Sequence, residues 1–187
     1  MQGQSFRIRK ALISVYHKTG LDTIVESLHK TGVTLYSTGG TYDYLLTKGI
    51  VAEKIEDLTS YPSILGGRVK TLHPKVFGAI LGRREEAGDV QEMETYEIPV
   101  FDLVIVDLYP FEDTLKARAN HADIIEKIDI GGISLIRAAA KNYKDVLVIP
   151  SQKQYAFLEN ILVNQNGECT EVERRKMAAE TFAISSN

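Results

Sequence analysis

The chain has 187 residues, of which 44% are hydrophobic and 25% charged, and this predicts one globular domain with a short extension at one end. Its formal net charge of −3 argues against a general nucleic-acid binder, and its single cysteine, Cys169, excludes a disulfide within the chain. No apolar run reaches the ~18 residues of a membrane span and no apolar signal stretch opens the sequence, so we expect a cytoplasmic protein without a membrane partner.

The first half of the chain alternates β-prone runs with amphipathic stretches. Residues 11–15 predict a strand, and residues 21–30 predict a helix because their apolar positions repeat at helical spacing. Residues 34–38 predict a second strand, a helix follows from near Thr41, and residues 51–55 predict a third strand. Each predicted strand therefore leads through a short turn into a helix or loop.

The second half continues the alternation with more strongly apolar strands. Residues 103–106 and 146–149 are continuous β-prone runs of the kind found in strands that are covered on both faces. Apolar stripes predict helices over residues 133–141 and 152–162, and a more charged helix over residues 170–184.

This order of elements predicts an α/β fold: a doubly wound, mainly parallel sheet with helices on both faces. We divide the chain into a core, residues 1–150, and a C-terminal helical extension, residues 151–187. The acid-rich residues 85–97 are interpreted as a solvated helix face. Cys169 follows an Asn-Gly-Glu run that is typical of a turn, and we interpret it as an incidental surface or boundary thiol.

Two strand-to-helix turns are candidate anion sites, because helix N-termini offer free N–H groups and glycines allow close approach. Tyr16, His17 and Lys18 follow the first strand, and residues 38–41, with a Gly-Gly pair, follow the second. Taken alone, the Gly-Gly turn is equally explained by the conformational freedom that a tight turn needs.

Residues 66–74 form a glycine-containing loop with two cations. Arg68 can bind two phosphate oxygens with its planar fork, Lys70 adds a point charge, and Thr71 adds a hydroxyl donor. The alternative is a solvated basic loop. His73 has no second ligand at a metal-like interval, so we interpret it as a packing or hydrogen-bonding residue and expect no metal and no cofactor.

Polar residues also follow the strongest strand and precede a predicted helix. Asp107 and Tyr109 come directly after residues 103–106, and Asp129 precedes a second Gly-Gly pair. Each has a structural alternative: Tyr109 fits the rim of the core, and Asp129 fits a helix cap. Lys141 lies twelve residues beyond Asp129, where a cation also favours a helix C-terminus.

Taken together, these segments resemble the IMP cyclohydrolase domain family in their order and spacing. The segments are residues 14–20, 38–41, 66–74, 108–111 and 129–132, with 137–142. The resemblance implies a methylglyoxal-synthase-like fold and the dehydrative closure of 5-formamidoimidazole-4-carboxamide ribonucleotide to IMP. It also implies a homodimer, and a transformylase domain that residues 151–187 would join to the core.

The resemblance further implies a set of site residues. Lys70, Tyr109, Asp129 and Lys141 carry or support the chemistry, with Lys141 as the proton donor or acceptor. Asp107 lies near the base with Val106, Asp129 and Ile130. The whole expected binding set is Tyr16, His17, Lys18, Thr38, Gly39, Gly40, Thr41, Arg68, Val69, Lys70, Thr71, Val106, Asp107, Asp129, Ile130, Gly131 and Gly132.

The sequence departs from the family pattern at two places. The family often has Ser-Asp where this chain has Tyr16 and His17, and it often has Asn where this chain has Asp107. Asp107 is expected to bring a second carboxylate near Asp129, and two close carboxylates raise each other's proton affinity.

Two other functions fit parts of the pattern. Methylglyoxal synthase shares the expected fold and phosphate grip but would show its own carboxylate and histidine pattern. A non-catalytic nucleotide-sensing module, like the regulatory domain of carbamoyl-phosphate synthetase, would need the phosphate loops without the four catalytic positions, all of which are present here. We therefore favour the enzyme, as a truncated or separately encoded domain that lacks formyl transfer.

Overall fold

Strands and helices alternate along the chain in the computed structural model, which describes residues 5–108 and 120–186. The strands are β1 (Phe6–Arg7), β2 (Lys10–Val15), β3 (Thr34–Ser37), β4 (Glu53–Lys54), β5 (Leu103–Asp107), β6 (Leu147–Ile149) and β7 (Glu168–Cys169). The helices are α1 (Leu21–Lys30), α2 (Gly39–Thr47), α3 (Ile55–Thr59), α4 (Pro74–Leu81), α5 (Ala87–Thr95), α6 (His121–Glu126), α7 (Ile130–Lys141), α8 (Tyr155–Asn164) and α9 (Glu171–Ser185).

The central sheet contains β2 to β6 in the spatial order β4-β3-β2-β5-β6, and every neighbouring pair is parallel. The chain runs outward from β2 to β4, then crosses back to β5 and continues to β6 on the other side. The direction of winding therefore reverses between β2 and β5, which makes the carboxyl ends of these strands the topological switch point. The predicted doubly wound parallel sheet is confirmed.

The two central strands are buried on both faces. Residues 11–13 of β2 and residues 103–105 of β5 have no exposed surface. Helix α7 packs against β5 and β6 together with α4 and α9, while α1 packs against α8. Because helices cover the sheet, apolar residues occupy successive positions of β5 instead of alternating with polar ones.

Several element boundaries differ from the sequence prediction for identifiable reasons. Helix α1 spans the predicted residues, but α2 begins at Gly39, ahead of the predicted start near Thr41. Helix α7 begins at Ile130, earlier than predicted, because Asp129 caps it with its side chain. The third predicted strand shortens to β4, because α3 begins at Ile55.

Helix α4 was not predicted, because its sequence follows directly on a glycine-rich loop. Pro74 occupies its first turn, where proline's missing N–H costs nothing, and His73 is its N-cap. The His73 ring accepts a hydrogen bond from the Lys75 backbone N–H at 3.1 Å through Nδ1, which confirms the local hydrogen-bonding interpretation. The acid-rich stretch forms α5, which is largely exposed except for Met93.

The surface interpretation of Cys169 is wrong. Cys169 lies in β7, which pairs antiparallel with β1, and its side chain is fully buried. Burial raises the pKa of the Cys169 thiol to about 12. The turn signal of the preceding Asn-Gly pair is real, since Asn166 and Gly167 both have positive φ, but the strand begins directly after it.

The predicted C-terminal extension packs into the same core as the sheet. Leu158 and Ile161 of α8 and Met177 of α9 belong to the main hydrophobic cluster. Arg174 of α9 is buried and donates hydrogen bonds to the carbonyl oxygens of Tyr143, Lys144 and Cys169. The division at residue 150 stays a prediction. No helix in residues 5–108 and 120–186 is long and apolar enough to cross a membrane.

A buried aspartate aligns the two central strands at their amino ends. Asp102, only 6% exposed, precedes β5, and its Oδ2 accepts hydrogen bonds from the backbone N–H groups of Arg9 at 2.7 Å and Lys10 at 2.8 Å. Its backbone N–H donates to the Lys10 carbonyl oxygen at 2.9 Å, and its Oδ1 lies 2.9 Å from the Arg84 guanidinium. Asp102 therefore fixes the start of β5 against the start of β2.

We expect Asp102→Ala to lower the free energy of unfolding by about 2–4 kcal/mol, because two part-buried N–H groups and a guanidinium lose their acceptor. Asp43→Ala, at an exposed position of α2, is the matched control and should change the free energy of unfolding by less than about 0.5 kcal/mol. Urea unfolding measures both. Equal effects of the two variants would contradict the aligning role.

Candidate active site

A cleft of about 680 Å³ opens at the switch point between β2 and β5. Its volume suits a small-molecule ligand. Residues from the carboxyl ends of both central strands line it, together with the N-termini of α2 and α7 and the loop before α4. The lining residues are Ser14, Val15, Tyr16, Lys18, Thr38, Gly40, Thr41, Gly66, Gly67, Arg68, Lys70, Thr71, Val106, Asp107, Ile125, Glu126, Ile128, Asp129, Ile130, Gly131 and Gly132.

Lys18 is fixed at the end of β2 by its contacts with neighbouring oxygens. Its Nζ lies 2.5 Å from the Val15 carbonyl oxygen, 3.2 Å from the Tyr16 carbonyl oxygen and 3.3 Å from the Thr41 hydroxyl. Burial lowers the pKa of Lys18, and the charge of Lys70 acts in the same direction while Asp107 opposes it. Lys18 and Lys70 both line the cleft, so both contribute positive charge that favours an anionic ligand there.

The N-terminus of α2 lies beside these cations. Its N-cap residue, Thr38, makes no side-chain capping bond, since its hydroxyl donates to Glu56 at 2.7 Å instead. The first N–H groups of a helix have no partner within the helix. At Gly39, with φ +53°, a Cβ would lie 2.9 Å from Lys70 Nζ, so a side chain here would displace the ammonium group. Lys18, Lys70 and the α2 N-terminus together form an anion cradle.

The loop that carries Lys70 also reaches the second helix N-terminus in the cleft. Thr71 is buried, and its Oγ1 lies so near α7 that a Cβ at Gly131 would be 3.0 Å from it. This loop therefore spans from the start of α2 to the start of α7. Glycine at residue 131 allows that close approach, and a larger residue would separate the loop from the helix.

Asp129 organises the start of α7. Its Oδ1 accepts a hydrogen bond from the Gly132 backbone N–H at 2.6 Å, which is the predicted capping contact. A Cβ at Gly132 would lie 2.5 Å from the Asp129 carboxylate, so glycine is required there. The cap satisfies the third N–H of the helix, and the N–H groups of Ile130 and Gly131 precede any carbonyl partner within the helix.

Asp107 faces the cleft from the end of β5 and is paired with His17. Its Oδ2 accepts hydrogen bonds from the His17 backbone N–H at 2.9 Å and from His17 Nδ1 at 2.7 Å. The two positions at which the chain departs from the family pattern are therefore in direct contact. The expected effect of Asp107 on the proton affinity of Asp129 stays a prediction.

The rim of the cleft includes a segment that the sequence analysis missed. Ile125, Glu126 and Ile128, in and just after α6, line the cleft. Glu126 forms an ion pair with Arg68, and Lys127 Nζ lies 4.8 Å from the centre of the Tyr16 ring. The sequence offered only a weak signal for this segment, namely two isoleucines shortly before the recognised Gly-Gly turn. The structure shows that both isoleucines are exposed.

Most of the predicted binding and catalytic residues come together in this cleft, with three kinds of exception. His17, Gly39 and Val69 do not line it, although His17 contacts Asp107 and Gly39 lies against Lys70. Tyr109 lies outside the described residues.

The third exception is Lys141, which is not at the cleft. It ends α7, whereas Asp129 precedes the first residue of that helix, and twelve residues of helical rise separate them by about 18 Å. Lys141 is exposed and borders a separate polar depression of about 380 Å³. The structure therefore supports the alternative reading of Lys141 as a cation at a helix C-terminus, where the helix dipole favours it.

No cluster of three or more His, Cys, Asp or Glu side chains that suits a metal occurs in the described ranges. The cleft carboxylates already have partners: Asp107 has His17, Glu126 has Arg68, and Asp129 has the α7 N-terminus.

Comparison with known proteins identifies two family models and several relatives that the chain resembles. Residues 20–134 match the MGS-like domain family, and residues 139–187 match the AICARFT/IMPCHase bienzyme family. The bifunctional purine biosynthesis protein PurH of Bacteroides thetaiotaomicron is 59% identical over 184 residues, which are 98% of this chain and 36% of that protein. PurH of Rippkaea orientalis is 47% identical over 96% of this chain and 35% of its own length.

A solved structure has a similar fold. The crystal structure of ForH has a TM-score of 0.76 and 34% sequence identity, with 96% of this chain and 93% of that chain covered. The chain thus spans nearly all of the ForH chain but only about a third of the curated PurH relatives. The family resemblance drawn from the five segments is confirmed.

Removal of the Glu126 charge should strengthen anion binding, because Glu126 competes with the ligand for Arg68. We expect Glu126→Gln to raise the affinity for ribose 5-phosphate about two- to fivefold at low ionic strength, the range for an exposed ion pair, and less at high salt. Isothermal titration calorimetry measures this. Glu92→Gln on α5 removes the same charge away from the cleft. An equal gain in both variants, or none in Glu126→Gln, would contradict the competition.

Proposed function

Since the chain belongs to the MGS-like domain family, and its last 49 residues, 139–187, to the AICARFT/IMPCHase bienzyme family, we propose that it is an IMP cyclohydrolase. The proposed reaction closes the second ring of 5-formamidoimidazole-4-carboxamide ribonucleotide, with loss of water, and forms IMP. The observation that carries this proposal is the pairing of an anion cradle with a second helix N-terminus inside one cleft.

The nucleotide phosphate is assigned to the anion cradle. Lys18 and Lys70 supply two positive charges, and the uncapped α2 N-terminus supplies backbone N–H donors. Arg68 lines the same cleft, and its guanidinium becomes available to the phosphate when the ligand replaces Glu126 as its partner. The Thr41 hydroxyl accepts a hydrogen bond from Lys18 Nζ and donates one to the Val15 carbonyl oxygen, and so holds the Lys18 ammonium group in place.

The base is assigned to the part of the cleft that Val106, Asp107, Asp129, Ile130 and Gly131 line. A nucleoside monophosphate has its phosphate and base at opposite ends, which matches a cradle at α2 and polar groups at α7. The carboxamide nitrogen of the substrate is a poor nucleophile, but its attack on the formyl carbon is intramolecular. A cleft that holds the formyl group in the reactive rotamer therefore supplies much of the rate gain.

Ring closure and loss of water require two proton transfers from nitrogen. As the new C–N bond forms, the carboxamide nitrogen loses one proton and the formyl oxygen becomes a hydroxyl. The hydroxyl then leaves as water while the formamide nitrogen loses its proton. The N–H groups of Ile130 and Gly131 are suited to stabilise the developing oxyanion, and Asp129 is the carboxylate placed to accept the nitrogen proton.

Of the two lysines in the predicted catalytic set, Lys70 lines the cleft and Lys141 does not. Lys70 lies at the phosphate end of the cleft, so its binding role has direct geometric support, and its catalytic role stays a prediction. We assign Lys141 no step, because it lies at the far end of α7. Tyr109 stays a prediction from the resemblance.

The wider context of the reaction is also a proposal. The PurH relatives are named as bifunctional proteins about three times the length of this chain. We infer that a transformylase domain is the partner of this domain in a full-length protein, and that residues 1–187 alone do not transfer formyl groups. A homodimer and a cytoplasmic location stay predictions.

Asp129→Asn should separate catalysis from folding. Asparagine caps a helix as well as aspartate does, so α7 should stay intact while the proton acceptor is lost. We expect kcat for IMP formation, followed by ultraviolet absorbance, to fall at least about 100-fold with little change in melting temperature. Wild-type protein that binds IMP tightly without forming it would instead indicate a nucleotide-sensing module.

Lys141→Ala is the companion variant and tests the placement of Lys141. We expect turnover within about threefold of wild type, as for a surface change away from the reacting groups. A loss as large as that of Asp129→Asn would show that another copy or segment brings Lys141 to the cleft, which would overturn the assignment of the proposed chemistry to this cleft alone.

A further inference from the structure

The register of β2 against β5 places His17 directly over the Asp107 side chain. Val15 pairs with Asp107 as the last partners of the two strands, and the Tyr16 backbone N–H donates to the Asp107 carbonyl oxygen at 3.2 Å. The chain then turns toward α1, so the next residue, His17, meets the carboxylate. This contact follows from strand pairing and does not depend on a long flexible side chain.

His17 holds one carboxylate oxygen with two donors. The backbone N–H and Nδ1 of His17 both contact Asp107 Oδ2, at 2.9 Å and 2.7 Å. A carboxylate only accepts hydrogen bonds, so Nδ1 carries a proton in this contact. Asp107 Oδ1 has no hydrogen-bond partner in the part of the chain that the structure describes, and the Asp107 side chain, 11% exposed, lines the cleft.

The His17 ring is also in contact with the Tyr16 ring. Its ring lies 4.8 Å from the Tyr16 ring in an edge-on arrangement, and the Tyr16 ring carries Lys127 above it. The His17 side chain is 44% exposed and does not line the cleft, so it acts on a ligand only through Asp107.

We propose that His17 is a positioning residue that orients Asp107 as a hydrogen-bond acceptor for an N–H group on the base of the bound nucleotide. In the substrate this N–H belongs to the attacking carboxamide nitrogen, and in IMP it is N1–H. An acceptor at this point selects a base that presents a donor and holds the nucleophile in place before ring closure. The inference rests on the proposed function for the identity of the nucleotide.

Three phosphate ligands distinguish this role from a general effect on the cleft. IMP has the N1–H donor, purine riboside 5′-monophosphate has an unprotonated N1, and ribose 5-phosphate has no base. His17→Leu removes the ring donor at similar bulk. His17→Asn restores a donor, because Asn Nδ2 lies at the same distance along the side chain as His Nδ1. His29→Leu, at an exposed position of α1, is the matched control.

We expect His17→Leu to weaken IMP binding about tenfold in calorimetric titrations at pH 7, the usual effect of losing a charge-assisted hydrogen bond. Ribose 5-phosphate binding should change less than about twofold, because the phosphate cradle is untouched. The ratio of the affinities for IMP and purine riboside 5′-monophosphate should therefore be smaller in His17→Leu than in the wild type. His17→Asn should recover IMP affinity to within about threefold, and His29→Leu should match wild type.

Three results would overturn the inference: equal weakening of all three ligands by His17→Leu, no weakening of IMP, or failure of His17→Asn to recover affinity. Turnover is measured separately on the same wild-type protein. IMP binding with the expected pattern but without IMP formation would refute the proposed enzyme and leave the positioning role standing. Wild-type protein that does not bind IMP would refute both.

Discussion

The pairing of β2 with β5 is the constraint on which the candidate site depends. An aspartate stands at each end of β5, and each accepts N–H groups from the chain at one end of β2. Asp102 accepts those of Arg9 and Lys10 at the start of β2, and Asp107 accepts that of His17 beyond its end. A slip of the register would leave both carboxylates without their donors, so the hydrogen bonds and the buried apolar strands specify one alignment.

This alignment determines what the cleft can bind. Because winding reverses between β2 and β5, the carboxyl ends of these strands form the switch point, and the N-termini of α2 and α7 converge there. The loop that carries Lys70 and Thr71 connects the two termini through close contacts at Gly39 and Gly131. The cleft therefore combines the cations Lys18 and Lys70, which favour a phosphate, with donors and acceptors at Asp107 and the start of α7, which suit a base.

The sequence predicted the sheet and most of the cleft because both depend on local patterns. Buried strands such as residues 103–106 are continuous apolar runs, and the glycine turns mark where helices begin. Prediction from the sequence failed where contacts between distant residues determine the environment of a side chain. Cys169 is buried where β7 pairs with β1, and Glu126 reaches the site through its ion pair with Arg68. The resemblance implied a catalytic role for Lys141, whereas the length of α7 separates Lys141 from the cleft, so that role stays a prediction without geometric support.

A crystal structure of the chain with bound IMP would show directly whether this cleft is the nucleotide site. We expect the phosphate to lie beside Lys18 and Lys70 at the α2 N-terminus, and the purine ring to lie against Asp107 and the start of α7. A phosphate bound elsewhere, for example in the depression beside Lys141, would contradict the assignment of this cleft as the nucleotide site.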